Sequence, residues 1–322
     1  MKKIRILLSC MLIFSFATLS TIHLTNDIHR AQAASAISLK DKAITLELGH
    51  YKTLRIQGTT QKATWYSKNL KAAKVASDGR VTAMGWGTTT VGANVGGKTL
   101  TCKVTIVQMN KKNLTLAPGS SSTLTLWGAV NKVTWTSSDS KVATVDGNGY
   151  VTGIASGTAT ITATVDGTKV TSKVTVADIS DKAIVMEVGG WAGNVKTLKI
   201  AGTSDKITWS SSNEKVATVS STGRVTAKNT GSATITAKVN GTTFTTAIHV
   251  LTMNNRAVTL KKGQTYPLEV LGAKDTVSWD SYKKSVATVS DNGTVTAVSA
   301  GQATIVGVVD GRIIRSRITV TD

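Results

Sequence analysis

Hydrophobic and polar residues alternate singly along most of this chain. In residues 232–241, "SATITAKVNG", Ala233, Ile235, Ala237 and Val239 take one face while Thr234, Thr236 and Lys238 take the other. The next run keeps the beat, with Phe244, Thr246, Ile248 and Val250 on a shared side. A period of two sends successive side chains to opposite faces of a strand, so the pattern predicts strands with one buried face. No stretch switches to the helical period. Between the two runs stands Asn240-Gly241, and Gly96-Gly97, Asp166-Gly167 and Asp310-Gly311 recur at equivalent places. Such dipeptides accept positive φ at both central turn positions and predict tight hairpins. Asp78-Gly79, Asn148-Gly149 and Asn292-Gly293 predict a second turn of the same kind.

The strand pattern itself repeats. Trp65, Trp135, Trp209 and Trp279 lie in "ATWYS", "VTWTS", "ITWSS" and "VSWDS", spaced 70, 74 and 70 residues apart. Seven residues before each stands a glycine (Gly58, Gly128, Gly202, Gly272), and fourteen after each stands another (Gly79, Gly149, Gly223, Gly293). Gly87, Gly157, Gly231 and Gly301 follow, and Gly97, Gly167, Gly241 and Gly311 close the series. A period of about 72 residues exceeds that of solenoids and matches small domains. With about seven strands per copy rich in Thr, Val and Ile, the expected fold is all-β: four β-sandwiches in tandem, elongated and joined by short linkers. Their expected bounds are 34–108, 109–178, 179–252 and 253–322, with an inserted loop at 189–197 in the third. In sandwiches of this type a Trp on the third strand packs between the sheets, so the four recurring tryptophans are expected in the cores.

These residues carry a family resemblance. "VTWTSSDSKVATVDGNGYVTGIASGTATITATVDG" (133–167) and its counterparts resemble bacterial immunoglobulin-like domains of group two, in the W-x-S start, the V-A-T-V run, the Gly turn, V-T-A/G and the closing G-x-A/T-x-I/V. The likeness covers nearly all of residues 37–322, with a divergent first copy ("KAAKVASDGRVTAMGWGTTTV") and extra residues in "GGWAGNVKT" of the third. The resemblance implies that the four tandem sandwiches are immunoglobulin-like and belong to an extracellular bacterial protein, in the company of intimin- and invasin-type adhesins, other surface proteins and spacers of secreted enzymes. It brings no catalytic residues with it.

The N-terminus reads as an exported leader. "MKKIR" is basic, "ILLSCMLIFSFATL" is apolar but shorter than the roughly 20 residues that span a bilayer, and Ala31-Gln32-Ala33 is a small-x-small cleavage pattern. Residues 1–33 are therefore expected to be a signal peptide, leaving 34 basic and 17 acidic residues, net +17. Cys102 then has no partner within the chain, so packing must hold the copies together without disulfides. No further apolar segment has membrane length.

Catalytic constellations are missing from the pattern. His50 and His249 stand in different copies, and His249 falls on the polar face of its strand, where a solvated ring is expected. Cys102 takes the position filled by Ser172, Thr246 and Ser316, an inward and small one, so it reads as a buried hydrophobe. "DGNG" (146–149) and "SDNG" (290–293) lack the ligand set of a calcium loop. The expectation is a protein that is not an enzyme, with no cofactor and no metal.

If the repeated positions build the scaffold, binding belongs where the copies differ. Trp86, Trp127 and Trp191 do not recur, and exposed aromatics can stack on sugar rings or anchor a protein. Charge differs too: residues 37–108 hold 11 basic and 3 acidic side chains, net +8, against +2, +4 and +3 for the other copies. Lys52, Arg55, Lys62, Lys68, Lys71, Lys74 and Arg80 crowd one half of the first copy. The expected partners are an extracellular or cell-surface protein or glycan, including an anionic cell-wall polymer, held by salt-sensitive attraction. Nucleic acid is not expected, because no nucleic-acid module is present. The competing expectation is a spacer or assembly subunit that binds nothing itself.

Overall fold

The computed structural model describes residues 36–189 and 194–322. The expected signal peptide and Trp191 lie outside them. Among the described residues all regular structure is strand. The chain falls into two compact units. The first runs to Asn110 and takes in Thr125–Thr134 and Ala163–Val170; the second comprises Lys111–Leu124, Trp135–Thr162 and Thr171–Asp322.

The first copy has nine strands: β1 (Ser38–Leu39), β2 (Ala43–Glu47), β3 (Tyr51–Thr53), β4 (Ile56–Gln57), β5 (Thr64–Ser67), β6 (Ala73–Val75), β7 (Arg80–Ala83), β8 (Gly87–Val95) and β9 (Lys98–Met109). One sheet runs β5-β8-β9, with β2 parallel to β9 in the register Ala43↔Lys103. The other runs β3-β7-β6, all antiparallel. Alternation puts Val81, Ala83, Val91, Cys102, Val104 and Ile106 between them as a dry core. The third and fourth copies repeat both sheets around cores of their own. The second has the same parallel first strand, Asn113–Leu116 on Lys173–Val176, and the same three-stranded sheet.

The hairpin dipeptides follow the sequence expectation. Asp166, Asn240 and Asp310 have φ near 50°, and each following glycine is also positive. The second turn differs from it. Only Gly79, Gly149, Gly223 and Gly293 are positive there, near 80°, while Asp78, Asn148 and Asn292 are not. Gly149 N donates to Asp146 O and Asp146 N donates to Tyr150 O, which makes a turn closed by a left-handed glycine, as in a bulged hairpin. Asp146 Oδ1 accepts from the amides of Asn148 and Tyr150 and holds the turn from inside.

That glycine has a second reason to recur. A Cβ on Gly223 would lie 2.5 Å from Leu198 O and 2.9 Å from Cζ2 of Trp209. The same close approach joins Gly79 to Trp65, Gly149 to Trp135 and Gly293 to Trp279. The recurring tryptophans are half-buried. Trp65, Trp209 and Trp279 pack against the cores of their copies, with one ring edge on the turn glycine.

At the first and third joints the last strand of one copy reaches the copy that follows. Strand β9 continues to Met109, and Leu126–Trp127 of the second copy pairs antiparallel with its end. Thr242–Met253 likewise runs on until Val270–Leu271 of the fourth copy pairs with it. Three residues in each case, 110–112 and 254–256, then lead into the first strand of the following copy.

Candidate functional site at the first joint

Of the glycines seven residues before the recurring tryptophans, Gly128, Gly202 and Gly272 lie at joints between copies. A Cβ on Gly128 would lie 2.1 Å from Ile106 O and 3.0 Å from Gly87 N, both in the preceding copy. Gly202 makes the same approach to Val176 O and Gly157 N, at 2.1 and 2.7 Å. Gly272 approaches Val250 O, at 2.9 Å. Each has φ between 81° and 85°, so only glycine satisfies both the conformation and the space.

This contact explains why two residues far apart in sequence meet. Trp86 directly precedes Gly87, and Trp127 directly precedes Gly128. With the two glycine backbones pressed together and Trp127 registered against Gln108, the rings lie 6.0 Å apart between centroids, tilted by 39°. They are 57% and 43% exposed. The equivalent positions hold Ser156 with Ala201 at the second joint and Thr230 with Leu271 at the third. Three joints share one backbone arrangement, and only the first carries aromatic rings.

A polar latch closes the same joint. Thr45 Oγ1 donates to Asp166 Oδ2 at 2.8 Å, Asn131 Nδ2 donates to Asp166 Oδ1 at 2.9 Å, and Thr168 Oγ1 donates to Thr45 O at 2.8 Å. The hydrogen bonds from Asn131 and then Thr45, with the charge of Lys103, hold the Asp166 carboxyl below its ordinary value. Beside the latch a groove of about 640 Å³ is lined by Lys52, Lys103, Val130 and Asp166 among others.

The seven cations that crowd one half of the first copy are all exposed, but they are not equivalent. Lys52 pairs with Asp41 at 3.0 Å, and the Arg80 guanidinium lies 5.3 Å above the Tyr51 ring. No ion pair among the described residues holds Arg55, Lys62, Lys68, Lys71 or Lys74. Lys68 and Lys71 ride on a fixed turn, in which Ser67 Oγ accepts from Asn69 N and Asn69 Oδ1 accepts from Lys71 N. Counting from the recurring tryptophan, Lys71 has counterparts in Lys141 and Lys215, whereas Lys68 aligns with Ser138, Ser212 and Tyr282. Lys74 aligns with Thr144, Thr218 and Thr288. Among these seven, Lys68 and Lys74 are the cations that no other copy has.

Sequence reasoning passed over Tyr51. It is 63% exposed, registered on β3 opposite Thr82 of β7, whose other neighbour is Lys74. Ser121, Val195 and Thr265 fill its place elsewhere, so its failure to recur was the available signal. His249 departs from the solvated ring expected of it. Its side chain is largely covered, with Nδ1 3.2 Å from Ser232 Oγ and Nε2 2.7 Å from Gly272 O and 3.9 Å from Asp310. The polar face on which it stands is the face that the fourth copy covers. Cys102 is buried, as are Ser172, Thr246 and Ser316 in the same position, and burial, reinforced by the nearby charge of Asp41, pushes its thiol up to about 11. A thiol so protonated is no nucleophile at neutral pH. Among the described residues no three His, Cys, Asp or Glu side chains gather as a metal site.

Tandem sandwiches without disulfides among the described residues, each with a parallel first strand and a Trp–Gly turn contact, define a class of immunoglobulin-like protein. The chain belongs to the bacterial Ig-like domain (group 2) family, whose model matches residues 95–177, 173–250 and 247–312. Over 241 residues it is 27% identical to Ice-binding protein 1 of Shewanella frigidimarina (strain NCIMB 400), a stretch of 65% of this chain and 26% of that protein. The chain thus spans about a quarter of that relative's length. Among solved structures, the S-layer protein rSbsC aligns with 93% of this chain and 57% of its own at 19% identity and a TM-score of 0.21. Invasin, a bacterial integrin-binding protein, aligns with 80% of this chain and 72% of its own at 16% identity and a TM-score of 0.28. The family match supports a surface or adhesin-like extracellular protein.

Proposed function

We propose that the chain is an exported, non-catalytic attachment protein whose first copy holds an anionic polymer of a cell surface, and whose later copies carry it at a distance. One observation carries the reading: Lys68 and Lys74 are exposed and without an ion pair, at positions where every other copy is uncharged. Several cations on one small domain attract a polyanion more strongly than any single pair would, and salt screens that attraction. The basic start, apolar run and Ala31-Gln32-Ala33 support export. The test is cosedimentation of the whole chain with isolated bacterial cell wall. Binding should fall steeply as salt rises from about 0.05 to 0.3 M, where the screening length shortens from beyond 10 Å to well below it. The double variant Lys68→Gln/Lys74→Gln should bind more weakly and with a shallower salt dependence. Binding indifferent to salt contradicts the reading.

A spacer without binding activity is the second reading. It is favoured by the first and third joints, where the last strand of one copy pairs with the next and a glycine packs closely against the copy before it.

A further inference from the structure

We propose that Trp86 and Trp127 together form a stacking site for sugar rings of an acidic polysaccharide, so that the anionic polymer held by the first copy is a carbohydrate. The inference rests on the attachment reading above and names its ligand.

The first support is redundancy. The second and third joints bring the same two positions together with Ser156 and Ala201, and with Thr230 and Leu271, on glycine contacts of the same kind. Large rings are therefore not needed to close a joint of this construction. Yet at the first joint two indoles stay 57% and 43% exposed, an expense of apolar surface that sealing alone does not explain. The second support is geometry. At 6.0 Å and 39° the rings touch without stacking flat on one another, so each keeps a face for a further partner. A pyranose presents C–H groups on its flat side and hydroxyls around its rim, and its flat side suits an exposed ring face. The third is charge. Strand β7, which leads through Met84 and Gly85 to Trp86, begins with Arg80, and its neighbour β6 carries Lys74. At about 3.3 Å per residue the cations lie within roughly 20 Å of the rings along the chain, within the reach of a polymer a few sugars long. Rings that read the sugar and cations that read its acid groups select a charged polysaccharide over a neutral one. A protein partner would also use exposed Trp, and Met84 and Val130, two and three residues from the rings, are 46% and 55% exposed. The cations on β6 and β7 are what favour the acidic polysaccharide, and capture of a surface protein with no binding of polysaccharide overturns the inference.

The probes are polygalacturonate, a uronic-acid polymer, and neutral pullulan, titrated into the intact chain with affinity electrophoresis and Trp fluorescence as readouts. Polygalacturonate should bind and change the indole emission, and pullulan should bind much more weakly. Trp86→Ala and Trp127→Ala should each lose about tenfold in affinity, the size of one aromatic contact, whereas Trp86→Phe should retain most of it. The Phe variant and a thermal melt separate a lost ring from a damaged joint. If both Ala variants bind polygalacturonate like the parent while Lys68→Gln/Lys74→Gln does not, the stacking site is refuted and the attachment reading stands. If the parent itself binds neither the polymer nor isolated wall, both fall. Equal binding of pullulan and polygalacturonate also overturns the inference, because charge would then play no part.

Discussion

The first joint and the third are built on the same backbone and finished with opposite chemistry. In both, the last strand of one sandwich pairs with the next, and a left-handed glycine presses on the copy before it. At the first, Asp166, Asn131, Thr45 and Thr168 make a latch of exposed or partly buried hydrogen bonds, and two tryptophans face solvent. At the third, the latch is replaced. Val185 stands where Thr45 stands and packs against the core of the fourth copy, His249 reaches Gly272, and Arg256 meets the buried carboxylate of Glu187 at 2.6 Å. Repeated residues make the joint; the others decide whether its surface is sealed or left open. The third joint spends its variation on packing, and the first leaves its variation exposed.

The comparison can be broken in order of expected effect. Arg256→Ala should cost the third joint about 3 kcal/mol, because it strands Glu187 as a buried charge, and chemical denaturation would read it. Removing both partners, as Arg256→Met with Glu187→Leu, should recover most of that loss; if the double variant is no better than the single, the ion pair is not what holds this joint. Next comes Gly128→Ala, expected to cost roughly 1–3 kcal/mol through its positive φ, with more from the 2.1 Å approach to Ile106 O. Gly272→Ala, with 2.9 Å to Val250 O, should be milder, and a reversed order would mean that the first joint is the looser one.

A smaller effect is expected from acid. Asp166 is held below its ordinary value of 3.8 in the folded chain, so its latch adds stability above that value and loses it as pH falls through the lowered one. Between pH 5 and 8 the first joint should not respond through this group. Asp166→Asn should remove the acid dependence, and hydrogen exchange near Thr45 is the measurement. Protection that changes around neutral pH would contradict the assignment.

Much of the fold was legible before any coordinates, and the reason is periodicity. Five landmarks at fixed offsets in four copies reveal strands, hairpins and the Trp–Gly turn because each depends on neighbours within about 15 residues. The meeting of Trp86 with Trp127 was not legible. Both residues were singled out for failing to recur, but their contact runs through the approach of Gly87 to Gly128 across two copies, which no local pattern encodes. His249 misled for the same reason, since alternation assigns a polar face without telling which copy covers it. The second turn misled differently: Asp-Gly and Asn-Gly suit both kinds of hairpin, and the hydrogen bonds of Asp146 or Ser290 choose between them. Tyr51 was in plain view, and a comparison of copies position by position finds it.

An aromatic pair that is surplus to the joint and serves a ligand can be exchanged without loss of the fold. Replacing it with the residues of the second joint, Trp86→Ser with Trp127→Ala, tests that claim most directly when melting and polygalacturonate binding are measured on the same protein. The account predicts a stability within about 1 kcal/mol of the parent, as befits one exposed aromatic contact, together with a loss of binding of tenfold or more. A variant that melts several kcal/mol lower, or that binds unchanged, would contradict it.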